Sequence, residues 1–129
     1  MEKIVERELS YIVCGVLFDV ASELGGGYQE KYYQRAIAKG FKDKGLKFKE
    51  QLAIPLEFRG ESIGRYFIDF VIEGRVVLEI KASNMFYTRD VKQVLAYLQS
   101  ANINLGILAN FTRSGLKLKR VLKGFKHSR

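Results

Sequence analysis

The hydrophobic positions of this chain switch between a helical and an extended period, and those switches outline its elements. Ile4, Val5, Ile12, Val13, Val16, Leu17, Val20 and Leu24 recur near helical spacing, so residues 4 to 24 read as a long first helix. Gly25-Gly26-Gly27 ends it, and a second helix should run from Tyr28 or Gln29 to Lys44, closed by Gly45. Leu52, Ile54, Leu56 and Phe58 alternate through residues 51 to 58, which predicts a strand, with Pro55 favouring an edge position. Arg65 to Lys81 reads as two short apolar strands around a Glu73-Gly74 turn. Thr88 is a candidate N-cap, with Asp90 in the first turn of a helix reaching Ala101. LGILANF, residues 105 to 111, has the look of a short buried strand, and the weaker alternation of 116 to 122 reads as a last one. The order α-α-β-β-β-α-β-β predicts a mixed α/β fold, a mixed sheet flanked by helices.

Three charged residues interrupt the apolar pair of strands: Asp69, Glu79 and Lys81. Burying such groups is costly unless something compensates them. Glu79 and Lys81 are two apart, so on a strand they share a face. Whether Asp69 joins them depends on the turn. A two-residue loop would put Asp69 and Glu79 on opposite faces; a three-residue loop with Gly74 or its neighbour left-handed puts them on the same face. The hydrophobic pattern favours the odd loop. It leaves one face wholly apolar, with Ile68, Phe70, Ile72, Val76, Leu78 and Ile80, and collects Phe67, Asp69, Val71, Val77, Glu79 and Lys81 on the other. Asp69 and Glu79 are then opposite or diagonal neighbours, roughly 5–8 Å apart at the backbone, and can converge on one ion.

Size and composition bound what such a site can serve. The chain has 129 residues, which suits one domain with a proper core. No window approaches a transmembrane span and no signal-peptide pattern opens the sequence, so no membrane partner is expected. The single cysteine, Cys14, sits at an apolar helical position and reads as a core thiol, which excludes an internal disulfide and fits the cytoplasm. The net charge is +8, and residues 111 to 129 hold seven cations and no acid: Arg113, Lys117, Lys119, Arg120, Lys123, Lys126 and Arg129. A basic segment of this kind suits a polyanion, of which nucleic acid is the usual one, or serves only as a solvated face.

Two further patterns lie on helices. Gly27, Glu30 and Tyr33 have the spacing G-x-x-E-x-x-Y, with Glu30 and Tyr33 on one face. Glu30 in a first turn also stabilises a helix start, and Tyr33 can simply pack in the core. Gln93 and Tyr97 lie one turn apart outside the stripe of Val91, Val94, Leu95 and Leu98, where a polar flank is the plainer explanation. Taken together, Gly27-x-x-Glu30-x-x-Tyr33, Asp69, Glu79-Ile80-Lys81 and Gln93-x-x-x-Tyr97, in that order, resemble the GxxExxY family of the PD-(D/E)XK nuclease-like superfamily, which includes restriction endonucleases and RecB-type nucleases. LGILANF is similar to that family's penultimate strand.

The resemblance implies a restriction-endonuclease-like core and a set of roles. Asp69, Glu79 and the backbone carbonyl of Ile80 would bind Mg²⁺ or Mn²⁺, Glu30 would add a carboxylate, and Lys81 would position or activate the attacking water. Gln93 and Tyr97 would lie beside metal and nucleic acid. Ile68 stands where the superfamily's name has proline. The only histidine is His127, so the upstream metal-binding histidine of many RecB-type enzymes is absent. The expected activity is metal-assisted phosphodiester hydrolysis in DNA, with RNA left open as the alternative substrate, and Lys117, Lys119, Arg120 and Lys123 are the expected basic contacts to the nucleic acid. A homodimer is an admissible assembly. Two other readings remain: a nuclease-fold module that binds nucleic acid or a partner protein without cleaving, and a structural domain whose charged cluster is a salt-bridged core.

Overall fold

A computed structural model describes residues 6–85 and 88–124. The elements follow the order that the hydrophobic periods predict: α1 (Arg7–Leu24), α2 (Glu30–Asp43), β1 (Phe48–Phe58), β2 (Glu61–Ile72), β3 (Val76–Lys81), α3 (Thr88–Ala101), β4 (Leu105–Thr112) and β5 (Gly115–Leu122). Residues 4 and 5 of the expected first helix lie outside the described residues. Thr88 is the first residue of α3 and not a cap ahead of it. The strands β1 and β2 are longer than the alternation indicated. The region before Gln51 is polar on both sides of Phe48, and the start of β2 carries exposed residues.

The strands form one sheet in the order β1-β2-β3-β4-β5. Only β3 and β4 run parallel, joined across the face by α3; the other neighbours are antiparallel. Helices α1 and α2 cover one face, where Val13, Leu17, Tyr33, Ile37 and Phe41 pack on Phe70, Ile72, Leu78 and Ile107. Helix α3 covers the other, where Val94 and Leu98 pack on Val71, Val77, Leu108 and Val121. Every residue of β4 is buried, as expected for a strand with helices on both sides. Among the described residues no helix is long and apolar enough to cross a membrane.

The β2–β3 loop has the odd length that the hydrophobic pattern demands. Ile72 pairs with Val76, so Glu73, Gly74 and Arg75 form it, with Glu73 at φ 53° and Gly74 at φ 66°. The expected face assignment is overturned in β2 ahead of Phe70, for Phe67, Ile68 and Asp69. Ile68 does not join Phe70 and Ile72 beneath α1 and α2 but packs with Ile54, Val71 and Val77 beneath α3. The cause lies at Asp69, where strict alternation along β2 breaks. Asp69 and Phe70 both reach α2, the first by a hydrogen bond to Gln34 and the second by a ring contact with Phe41. Opposite this slip Gln51 of β1 adopts φ 53°, a conformation rare for a non-glycine residue inside a strand.

Close approach fixes how the helices sit. Gly40 of α2 faces Val16 of α1, and a Cβ there would lie 2.5 Å from Val16 Cγ1. Gly106 of β4 lies directly under Val94 of α3, and a Cβ would run into Val94 Cγ1. Valine is stiff at χ1, so neither neighbour can easily turn away. Gly106→Ala should therefore lower stability by about 1–3 kcal/mol, the usual cost of overpacking. A urea melt should show an earlier midpoint with the slope unchanged.

Candidate active site

The carboxylates are delivered by three separate elements. The first is the start of α2. Gly25, Gly26 and Gly27 cross the end of β4 so closely that a Cβ at Gly26 would meet the Thr112 carbonyl oxygen at 2.9 Å. Gly27 has φ 98°, which favours glycine. Tyr33 holds this crossing in place: its hydroxyl donates to the Gly25 carbonyl at 2.6 Å and accepts from the Tyr28 N–H at 3.3 Å. Its ring is fully buried and stacks on Phe111 at 4.2 Å. Tyr33 is thus a core residue that also orders the turn ahead of Glu30. Glu30 then begins α2 and accepts the Ala82 N–H at 3.3 Å, so the helix start is tied to the end of β3.

The second and third elements are β2 and β3. Asp69 is 7% exposed and Glu79 is 3% exposed. The paired residues of β2 and β3 end at Phe70–Leu78, and beyond that point side chains replace the backbone ladder. The Ile80 N–H donates to Asp69 Oδ2 at 2.7 Å, and the Asp69 N–H donates to Glu79 Oε1 at 3.2 Å. Asp69 Oδ1 accepts Nε2 of Gln34 at 2.8 Å and Nε2 of Gln51 at 3.2 Å. Burial first, and the adjoining Asp69 carboxyl next, push the Glu79 pKa up to about 9, with only part of the rise offset by Lys81. Glu79 therefore carries a proton near neutral pH. The Tyr66 hydroxyl is pushed up as well, by burial and then by Glu79.

Lys81 ends β3 on the α3 side. Its Nζ lies 3.6 Å from Oδ1 of Asp90, a carboxylate only 2% exposed in the first turn of α3. Oδ2 of Asp90 is buried without a hydrogen-bond partner among the described residues. Asn110, fully buried on β4 beside Lys81, accepts the Ser83 N–H at 2.9 Å and so shapes the exit from β3.

The structure thus brings Glu30, Asp69, Glu79 and Lys81 to one end of the sheet, where β3 stops and α2 and α3 begin. Glu30 meets the end of β3 at Ala82, while Asp69 and Glu79 meet each other across β2 and β3. Among the described residues no three or more His, Cys, Asp or Glu side chains form a metal-holding group. The donor set toward a cation is the Asp69–Glu79 pair, and its chemistry fits a hard divalent ion: all oxygen, with one proton for the cation to displace.

The remaining expected residues lie at varying distances from this pair. The Gln93 carbonyl accepts the Tyr66 hydroxyl at 3.4 Å, which sets that turn of α3 beside the Glu79 neighbour. Tyr97 lies one turn further on, part-buried against the α3 core, and lines a groove of about 460 Å³ with Lys49, Leu52, Val71 and Gly74, toward the opposite end of the sheet. The basic segment is not a free tail as far as Leu122 but the edge strand β5. Alternation splits its cations between faces. Arg120 reaches Ser10 of α1 at 3.4 Å, while Lys117 and Lys119 have the opposite parity, with Val121 of the α3 core. Lys123 is held by the Asn102 side chain at the end of α3. His127 lies outside the described residues.

Gln34, Gln51, Asp90 and Asn110 were not singled out in the sequence. Gln34 is one turn after Glu30 and shares its face, a signal available from spacing. Gln51 and Asn110 carry no such signal, because strand pairing alone sets them there. Asp90 reads from sequence as an ordinary first-turn acid, and only its burial against Lys81 marks it.

No curated protein matches this chain by sequence. Among solved structures, an alkaline exonuclease from Laribacter hongkongensis, LHK-Exo, superposes over 95% of this chain and 72% of its own, with TM-score 0.51 and 13% identity. A structure titled SSO0001 superposes over 92% of this chain and 79% of its own, with TM-score 0.50 and 13% identity. At such identity the likeness concerns the fold, which is restriction-endonuclease-like. A family model described as the PD-(D/E)XK nuclease superfamily matches residues 7–121, which run from the start of α1 to the penultimate residue of β5 and include Glu30, Asp69 and Glu79, and the chain belongs to that superfamily.

Proposed function

We propose that this protein is a metal-dependent nuclease of the GxxExxY kind that hydrolyses phosphodiester bonds, in DNA before RNA. The observation that carries the reading is the buried Asp69–Glu79 pair, set where the β2–β3 ladder gives out, with Lys81 on the same strand. Two adjoining buried carboxyls, one of them held protonated by burial and by the other, are unfavourable in a purely structural core, and such shifted groups gather at functional sites. Asp69 and Glu79 are the residues to hold Mg²⁺ or Mn²⁺, with the Ile80 carbonyl and Glu30 as further oxygen donors. A divalent ion bound there lowers the pKa of a water and offsets charge on a phosphate.

The other roles belong to the chain itself. Lys81 is a compact cation that orients the scissile phosphate or the water, and Asp90 holds its ammonium from the side of α3. Gln93, Tyr97, Lys117, Lys119, Arg120 and Lys123 are the proposed contacts to the nucleic acid, with Tyr97 and Lys123 toward the far end of the sheet. One observation favours the second reading, a nuclease-fold module that binds without cleaving. Asp69 already accepts three hydrogen bonds, from Gln34 and Gln51 on Oδ1 and from the Ile80 N–H on Oδ2, which leaves one oxygen with a single lone pair for an ion.

The deciding experiment is single-turnover cleavage of labelled single- and double-stranded DNA and RNA with Mg²⁺ or Mn²⁺. Metal-dependent cleavage is expected, and its absence on every substrate would transfer the assignment to the binding module. Asp69→Asn and Glu79→Gln should each abolish calorimetric Mn²⁺ binding and cleavage while the fold is kept. Lys81→Ala should keep metal affinity within a few-fold yet slow cleavage about 100-fold or more, the scale for losing a group that positions or activates a nucleophile.

Glu79 also predicts a pH dependence in chelator. Its folded pKa of about 9 lies above the ordinary carboxylate value of 4.5, so between those limits the folded state binds more protons than the unfolded one. Stability should therefore be fullest below about pH 4.5 for this group and fall as pH rises toward 9. Glu79→Gln should flatten that fall and melt higher than the parent at pH 8. An equal decline in both proteins would remove Glu79 as its source.

A further inference from the structure

Large aromatic rings stand out in solvent on α2 and on the β1–β2 hairpin, the two elements that Gln34 and Asp69 tie together. On the α2 side, Tyr28 is 49% and Tyr32 is 44% exposed, with ring centroids 6.4 Å apart in an edge arrangement. On the sheet side, Phe67 is 46% and Phe58 is 57% exposed. These belong to the β1–β2 hairpin, which runs on past the point where β3 stops pairing with β2. Phe67 lies two residues before Asp69, and its neighbour Ile68 turns into the α3 core, so Phe67 faces away from α3. Leu56 and Ile63 add exposed apolar surface to the same hairpin.

Each cluster carries cations over its rings. Lys31 Nζ lies 5.2 Å and Arg35 Cζ 5.8 Å from the centroid of Tyr32. Arg59 Cζ lies 5.0 Å from that of Phe58, and Arg65 Cζ 5.5 Å from that of Phe67. None of these four cations has an acidic partner among the described residues. Exposed rings interleaved with unpaired cations are the chemistry of a surface that stacks bases and tracks a phosphate chain. A second copy of this chain fits poorly, since a two-fold contact would set the same unneutralised cations against each other. A duplex fits poorly too, because its bases are already stacked and show a ring no free face.

We infer that α2 and the β1–β2 hairpin bind single-stranded nucleic acid, with unpaired bases on Tyr32 and Phe67 and phosphates at Lys31, Arg35, Arg59 and Arg65. The strand then passes between the two clusters, over the Asp69–Glu79 pair. The inference rests on the nuclease reading only for what happens to the strand there, and binding itself needs neither metal nor cleavage.

The test is fluorescence anisotropy in chelator, with a short labelled oligothymidylate, an oligouridylate of equal length and a blunt duplex. Wild type should prefer the single strands, the two oligomers distinguishing DNA from RNA. Tyr32→Ala and Phe67→Ala should each weaken single-strand binding roughly 5- to 100-fold, the scale of one lost stacking ring. Tyr32→Phe and Phe67→Tyr, which keep a ring, should bind like the parent. Arg65→Gln should flatten the salt dependence by about one phosphate contact. These side chains are exposed, so melting temperatures should hold, and an alanine variant that fails to fold is replaced by the serine one. Unchanged single-strand affinity in both alanine variants overturns the inference, as does a wild-type preference for duplex. So does a wild-type dimer in sedimentation that Phe67→Ala dissolves, which would make the patch a self-contact. Absence of cleavage with Mn²⁺ alongside weakened binding in the ring variants would overturn the nuclease reading and leave this surface standing.

Discussion

Two carboxylates lie side by side between the strands β2 and β3, and much of the local structure exists to accommodate them. A backbone ladder running unbroken past Phe70 and Leu78 would engage the Asp69 and Ile80 amides and take from the two carboxyls the backbone donors they now have. The strands instead part, and the Ile80 and Asp69 amides turn to side-chain oxygens. The same demand shifts the alternation of β2 by one residue and forces Gln51 into a left-handed conformation opposite it. Strain of that order, about 1–3 kcal/mol, persists only where the surroundings over-determine it. It also leaves Glu79 protonated, since a second negative charge beside Asp69 finds no solvent to spread into.

The rest of the fold fixes three elements around that point. Tyr33 anchors the glycine crossing so that α2 starts beside Ala82, and the small residue Gly106 lets α3 lie flat on β4 so that Asp90 meets Lys81. Because α2 arrives from one face of the sheet and α3 from the other, the site sits at the single edge both can reach. The scaffold residues are apolar and tightly packed, while the site itself keeps an orphaned carboxylate oxygen on Asp90. An unpaired buried acceptor is destabilising, and among the described residues the nearest cation to Asp90 is Lys81.

Membership of the PD-(D/E)XK nuclease superfamily and a likeness to an alkaline exonuclease at 13% identity leave the individual reaction to the site. There the electrostatics are uneven. The pair is acidic and enclosed, whereas the surfaces flanking it carry cations on exposed rings. A polyanion can approach such a surface, and the Asp69 carboxylate beside it is held by the neutral amides of Gln34 and Gln51.

The order of elements and the three-residue loop were legible in the sequence, because helix and strand periods are local and a buried apolar face admits one parity. Parity placed Glu79 and Lys81 on one face, but it put Asp69 there too, whereas the structure turns Asp69 to Gln34 of α2 and lets it meet Glu79 only where the strands part. The face of Ile68 did not follow from parity either, since alternation assumes an undisturbed strand and the buried acids disturb it. The basic segment looked continuous in sequence, yet strand geometry sends Arg120 to α1 and Lys119 to the α3 side. Gln34, Gln51, Asp90 and Asn110 are ordinary polar residues until long-range pairing sets them beside the acids. What the chain determined by itself was every feature with a short period; what only the tertiary structure decided was which distant polar groups share one small, water-poor volume, because that depends on packing between elements far apart in sequence.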